Sequence, residues 1–132
     1  MDLARPAIVS EEEFLALPET MERVELLDGE VIVAPSPTAR HQTLLVRLAT
    51  RLQSWVETSE HGAFVGLSPL DVRFAPGRIL QPDVFVILGG VAGGHEGPLD
   101  TIPDLCVEVL FRATINVYVG LERFGRETTT LG

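Results

Sequence analysis

The chain has 132 residues, of which 45% are hydrophobic, and it carries a formal net charge of -9. This length and apolar content suit one globular domain with its own buried core. All 10 basic residues are arginines, so chemistry that requires a lysine side chain is excluded.

The distribution of charge and apolar residues limits the partners of the protein. No apolar run reaches the ~18 residues of a membrane span, and residues 1–6 lack the features of a secretory signal. We therefore expect a cytoplasmic protein without a membrane segment. Nine acidic residues and two arginines lie within residues 1–30, which leaves a charge of only -2 for the rest. The acidic segment repels a polyanion, so any affinity for DNA is expected to be weak.

The first predicted element is a short helix over residues 10–17. Ser10 and Glu13 have the spacing of a capping box, and Pro18 ends the helix. The glutamates at positions 11–13 fall in the first turn, where negative charge favours the helix dipole. They are interpreted as solvated structural residues.

A β-hairpin is predicted next, around Asp28-Gly29. This dipeptide suits the positive backbone φ angles of a two-residue hairpin turn. The paired strands are expected at residues 23–27 and 30–34.

The longest predicted element is a helix over residues 39–57, with Thr38 as its N-cap. One stripe of this helix is predicted to cover a sheet. The stripe contains His41, Leu44, Leu45, Leu48, Leu52, Trp55 and Val56. Arg40, Arg47 and Arg51 align on the flank of the stripe. Two interpretations stay open for these arginines, a solvated helix edge or a contact with phosphate.

The following segments are predicted to form strands separated by turns. The strands are expected at residues 63–66, 69–74, 82–88 and 105–110. A loop is predicted at residues 89–98, which lack the pattern of a phosphate-binding loop. Cys106 lies within the last strand and is interpreted as a small core residue.

Two carboxylates lie in the most apolar of these strands. Asp83 opens one strand, and Glu108 lies inside another. Burial of an ionised carboxylate is costly unless the group is paired or binds a cation. If the two strands are neighbours, both groups can bind one hard cation, and oxygen ligands favour Mg²⁺ or Mn²⁺. The chemistry expected of such a centre is phosphodiester hydrolysis.

Four motifs in a fixed order give the chain a family resemblance. They are Glu25-Leu26-Leu27-Asp28-Gly29-Glu30-Val31, His41-Gln42, Gln81-Pro82-Asp83-Val84 and Pro103-Asp104-Leu105-Cys106-Val107-Glu108-Val109-Leu110. Over residues 9–110 the sequence resembles the Uma-two family, a restriction-endonuclease-like branch of the PD-(D/E)xK nuclease superfamily. The resemblance implies an α/β fold, with a restriction-endonuclease-like mixed β-sheet flanked by helices. It also implies a metal-dependent DNA endonuclease.

The resemblance further implies catalytic roles for four residues. Asp83 and Glu108 would be the ligands of Mg²⁺ or Mn²⁺, with Glu25 as a third carboxylate. His41 would be a partner at or beside the metal. Structural alternatives stay open: Asp83 could cap its strand, and Glu108 could pair with Arg73. Similarly, Glu25 could be a solvated hairpin residue and His41 a core histidine.

The chain departs from the family pattern after Leu110. The superfamily motif has a lysine two residues beyond Glu108, and that position is Leu110. Arginine does not deprotonate and is a poor proton shuttle, so we expect an impaired nuclease. The chain is therefore divided into a core at residues 1–110 and a divergent tail at 111–132, interpreted as a truncated or frame-shifted copy.

The loss of the last hairpin of the family would leave a sheet edge exposed. The alternative function is accordingly a non-catalytic binding or oligomerisation module with a nuclease-like fold, such as a homodimer.

Overall fold

The computed structural model describes residues 8–20, 22–34, 36–60, 62–110, 115–119 and 128–131. Within these ranges the chain forms two helices and nine strands. In chain order they are α1 (Glu11–Leu15), β1 (Arg23–Leu27), β2 (Glu30–Ala34), α2 (Ala39–Ser59), β3 (Phe64–Leu67), β4 (Val72–Ala75), β5 (Arg78–Leu80), β6 (Val84–Ile87), β7 (Leu105–Val109), β8 (Ile115–Val119) and β9 (Thr128–Leu131).

The N-terminal elements follow the predictions closely. The hydroxyl of Ser10 accepts from the Glu13 amide at 3.1 Å, and the Glu13 carboxylate accepts from the Ser10 amide at 3.2 Å, which completes the capping box. Strands β1 and β2 pair around Asp28 and Gly29, whose φ angles are 50° and 88°. Both positive angles match a two-residue hairpin turn, so the predicted hairpin is confirmed.

The strands form two antiparallel sheets, with one isolated parallel bridge between Val72 and Leu99. Sheet A has the order β2-β1-β5-β4, and sheet B has the order β3-β6-β7-β8-β9. Strand β5 was not among the predicted strands. Its three residues are too few to show an alternating pattern, and its pairing with both β1 and β4 is a property of the tertiary fold. The predicted α/β class is confirmed.

The core is divided into three apolar layers by the two sheets. Alternation along β6 directs Phe85 toward sheet A and Val84 toward α2. Along β1, Leu26 packs with Phe14 of α1, whereas Leu27 packs against the core between the sheets. The helices and sheets are therefore stacked in the order α1, sheet A, sheet B and α2, with one apolar layer between each pair of neighbours.

Helix α2 begins after Thr38, whose hydroxyl accepts from the His41 amide at 3.1 Å. Leu45 packs against Val84 and Val107 of sheet B, which confirms that one stripe covers a sheet. The placement of Trp55 on that stripe was wrong, since Trp55 is 47% exposed. Successive side chains point about 100° apart around the helix axis. A helix that buries Val56 therefore turns the adjacent Trp55 side chain toward solvent.

Strand β7 is paired on both sides in the described chain. It pairs with β6 on one side and with β8 on the other, and β9 then pairs with β8. The sheet edge expected after Leu110 is therefore covered by residues of the tail. The arginines of the tail, which the sequence suggests could stabilise phosphate charge, lie outside the described residues; they are Arg112, Arg123 and Arg126.

Candidate active site

The register of β6 and β7 places the two predicted metal ligands opposite each other. Val84 pairs with Val107, and Phe85 pairs with Cys106. Continuing this antiparallel register by one residue sets Asp83 against Glu108. Directly opposed residues lie on the same face of a sheet, so the two carboxylates share one face.

Asp83 is held by three protein groups. It is 2% exposed, which makes it the one fully buried charged residue in the described chain. Its Oδ1 accepts from Arg23 Nη1 at 2.7 Å, and its Oδ2 accepts from the Val109 amide at 2.7 Å. His41 Nε2 lies 3.3 Å from the same Oδ2. A hydrogen bond at this contact forms in the His41 tautomer that carries its proton on Nε2 and donates it to Asp83. Asp83 is thus more than a strand cap.

Arg23 is the residue that sequence reasoning missed. Its Nη2 lies 3.4 Å from Glu108 Oε2 and 3.6 Å from Glu25 Oε2, in addition to the contact of Nη1 with Asp83. Strand alternation was the signal for it, because Arg23 precedes Glu25 by two residues and therefore shares its face of β1. One guanidinium thus contacts carboxylates from three separate segments.

Glu25 lies at the junction of the two sheets. Its Oε2 accepts from the Gln81 amide at 2.6 Å, and the side chain is only 16% exposed. This contact connects β1 of sheet A to the residues that immediately precede Asp83. Glu25 is therefore not a solvated hairpin residue.

Glu108 pairs with Arg23 and not with Arg73. Arg73 is occupied elsewhere, since its Nε donates to Glu11 Oε1 at 2.9 Å. Burial is the largest cause that raises the pKa of Glu108 to about 8; the negative charge of Asp83 adds to it, and Arg23 opposes it. A carboxyl with such a pKa is ionised at neutral pH only when further positive charge lies beside it.

The electrostatics of Arg23 lead to the same conclusion. Burial by itself would lower the pKa of Arg23, but the charges of Glu108, Glu25 and Asp83 raise it above its ordinary value. Three carboxylates around one guanidinium leave an excess of negative charge if all are ionised. The site therefore favours additional positive charge.

His41 contacts the site from the first turn of α2. Its Nδ1 is buried without a hydrogen-bond partner among the described residues, and the same is true of Arg23 Nε. The structure thus brings together all four residues that the sequence singled out: Asp83, Glu108, Glu25 and His41.

The donor set fits a hard divalent cation in its chemistry. Carboxylate oxygens on neighbouring strands, with an excess of negative charge, are typical ligands of Mg²⁺ and Mn²⁺. In the described part of the chain, however, no three His, Cys, Asp or Glu side chains form a group that could hold a metal ion. The guanidinium of Arg23 lies among the carboxylates, so this structure has a protein cation at their centre.

Cys106 lies opposite Phe85 and takes no part in the site. It is fully buried in the core between the sheets. Burial raises the pKa of its thiol to about 12, and the charge of Glu108 adds to the effect. The prediction of a structural cysteine agrees with this location.

Comparison with known protein families gives a match that covers most of the chain. No helix in the described ranges is both long and apolar enough to cross a bilayer. No curated protein matches the chain. The model of one family, described as "Putative restriction endonuclease", matches residues 11–118 and so extends beyond the stretch on which the resemblance was recognised. The match includes β1, α2, β6 and β7, which carry the site, and the chain therefore belongs to the Uma2 family of restriction-endonuclease-like proteins.

Proposed function

We propose that this chain is a metal-dependent DNA endonuclease domain that hydrolyses phosphodiester bonds slowly. The observation that carries the proposal is the convergence of Asp83, Glu108 and Glu25 on one partly buried point. Membership of the Uma2 family supports the nuclease class.

Asp83 and Glu108 would hold Mg²⁺ or Mn²⁺, with Glu25 as a third oxygen donor. When bound, such an ion supplies Lewis-acid stabilisation of phosphate charge and lowers the pKa of a water ligand. His41 and the Val109 amide fix the orientation of Asp83 through its Oδ2. Asp83 Oδ1 accepts from Arg23 Nη1 at 2.7 Å, and Nη2 of the same guanidinium lies beside Glu108 and Glu25.

The DNA backbone would lie along α2. Arg40, Arg47 and Arg51 are exposed, and none forms an ion pair with the rest of the described chain. Their positions fall within about 40° of each other around the helix axis, so they form one stripe. Arg40 is adjacent to His41, which places one end of the stripe beside the site. Trp55 is exposed one turn beyond Arg51 and adds an aromatic surface suited to nucleic acid.

Slow turnover is expected because the chain has no lysine. Position 110, where the superfamily motif has the lysine, is a leucine. The cation within the site is Arg23, which stabilises negative charge but does not transfer a proton at neutral pH. Binding and positioning of the phosphodiester are therefore retained better than proton transfer.

Cleavage of supercoiled plasmid in Mn²⁺ tests the proposal. We expect slow nicking by the wild-type protein, loss of nicking with Glu108→Ala, and wild-type nicking with Glu12→Ala. Glu12 is exposed on α1 and is a charge-matched control. Equal nicking by the wild type and Glu108→Ala would assign the activity to a contaminant and overturn the proposal. Calorimetric Mn²⁺ titration of Asp83→Ala should give no binding heat.

A second candidate is a non-catalytic binding or oligomerisation module with the same fold, and the missing lysine favours the loss of catalysis that it assumes. DNA binding without nicking in any divalent metal ion would support it. Light scattering addresses the homodimer, since a strictly monomeric folded protein would contradict it.

A further inference from the structure

Arg23 lies among the carboxylates of the candidate active site. Its guanidinium contacts Asp83 at 2.7 Å, Glu108 at 3.4 Å and Glu25 at 3.6 Å. These are the same carboxylates that the proposed function assigns to a metal ion. The protein thus supplies a cation of its own at the place where a divalent ion would bind.

We infer that Arg23 is a built-in competitor of the metal, which a divalent ion must displace from Asp83 and Glu108 in order to bind. The inference rests on the proposed function, because it takes these carboxylates as the metal ligands. Arg23 would then set the metal affinity of the site.

The competition concerns one particular oxygen of Asp83. Its Oδ2 already accepts from the Val109 amide at 2.7 Å and lies 3.3 Å from His41 Nε2. Its Oδ1 is therefore the oxygen left for a metal, and Arg23 Nη1 holds it at 2.7 Å. A metal ion that approaches Asp83 meets the guanidinium at the same atom.

Simultaneous binding of both cations is disfavoured by charge. Repulsion between like charges about 4 Å apart is several times stronger near a protein than in bulk water, and it doubles for a divalent ion. Arg23 has a route out, because its side chain is 23% exposed. Its Nε has no hydrogen-bond partner among the described residues, so movement of the side chain breaks no bond at that atom.

The inference also explains why the carboxylates do not form a compact ligand group in the described structure. Each of the three lies within 3.6 Å of the guanidinium. Displacement of Arg23 would allow Asp83 and Glu108, which face each other across β6 and β7, to bind one ion together.

Calorimetric titration with Mn²⁺ tests the inference on the full chain. Arg23→Gln removes the charge and should tighten Mn²⁺ binding by about tenfold or more relative to the wild type. Arg73→Gln is the matched control, because Arg73 also pairs with a carboxylate, Glu11, but has no contact with the site. Its Mn²⁺ affinity should equal that of the wild type. Equal or weaker binding by a folded Arg23→Gln protein would overturn the inference.

A second measurement follows Arg23 in the wild-type protein and uses a folded variant only to assign one resonance. The Nε–H resonance of Arg23 is assigned in ¹⁵N NMR spectra by its absence from Arg23→Lys. Saturation with Mg²⁺ should shift this resonance and accelerate its exchange with water. An unchanged resonance at saturation would contradict displacement.

The outcomes separate the inference from the proposed function. Metal-dependent nicking together with equal Mn²⁺ affinity in Arg23→Gln overturns the inference alone. Absence of metal binding in both the wild type and Arg23→Gln overturns the inference and the metal dependence of the proposed function together.

Discussion

Glu11 joins helix α1 to the turn between β4 and β5. Its Oε1 accepts from Arg73 Nε at 2.9 Å, and its Oε2 accepts from the Gly77 amide at 2.6 Å. The sequence marked Glu11 only as a first-turn residue that favours the helix dipole. The structure gives it a long-range contact as well, since 62 residues separate it from Arg73.

This contact predicts acid sensitivity. The hydrogen bond from Arg73, followed by that from Gly77, lowers the pKa of Glu11 below its ordinary value. A carboxyl with a lowered pKa contributes stability above the pKa of the unfolded chain, and the contribution is lost as pH falls through the folded-state pKa. Thermal unfolding of Glu11→Gln should therefore show a lower Tm than the wild type at pH 7 and a smaller difference at pH 3.

Glu12→Gln is the control for this prediction, because Glu12 is exposed and its side chain has no such contact with the described part of the chain. Its Tm should follow that of the wild type over the same pH range. A constant Tm difference between the wild type and Glu11→Gln from pH 7 to pH 3 would contradict the assigned ion pair.

At the scale of the secondary-structure element, the pairing of β3 with β6 depends on one glycine. Gly66 lies opposite Phe85, and a Cβ atom at position 66 would overlap the Phe85 ring. The ring itself is fully buried in the core between the sheets. A side chain at position 66 would therefore force the buried Phe85 ring or the strand to shift, which favours glycine there.

Gly66→Ala should destabilise the protein by about 1–3 kcal/mol, the usual cost of overpacking a core. Chemical denaturation measures the change through its midpoint. Gly93→Ala is the matched control, since a Cβ there meets no atom within 4 Å. Equal midpoints for the two variants would show that β3 and Phe85 are packed differently.

At the scale of the whole molecule, the layer order separates opposite charges. The acidic helix α1 covers sheet A through Phe14, whereas α2 covers sheet B through Leu45. The two helices therefore lie on opposite outer faces of the sheet pair. The net charge of -9 does not describe the face that carries Arg40, Arg47 and Arg51.

This separation predicts salt-dependent DNA binding through α2. Fluorescence anisotropy with duplex DNA in EDTA measures binding without cleavage. The double variant Arg47→Gln and Arg51→Gln should show a shallower slope of log Kd against log salt concentration. The change in slope should correspond to the loss of about two phosphate contacts. Arg78→Gln, which removes an arginine paired with Asp28, should leave the slope unchanged. An unaltered slope in the double variant would place the DNA elsewhere.

The local elements and the two candidate carboxylates on apolar strands follow from the sequence. The capping box at Ser10, the turn at Asp28-Gly29 and the stripe of α2 are short-range patterns, so residues a few positions apart were enough to predict them. Asp83 and Glu108 were recognisable because a carboxylate in an apolar strand requires a specific partner.

Tertiary structure decided what depends on distant segments. The three-residue strand β5, the exposure of Trp55 and the pairing of β8 with β7 are set by neighbours far along the chain. The same holds for Arg23, which is 60 residues from Asp83 and 85 residues from Glu108. A sequence pattern reveals the charge and strand face of a residue, but Coulombic pairing depends on distances in space, and these exist only once the two sheets have packed.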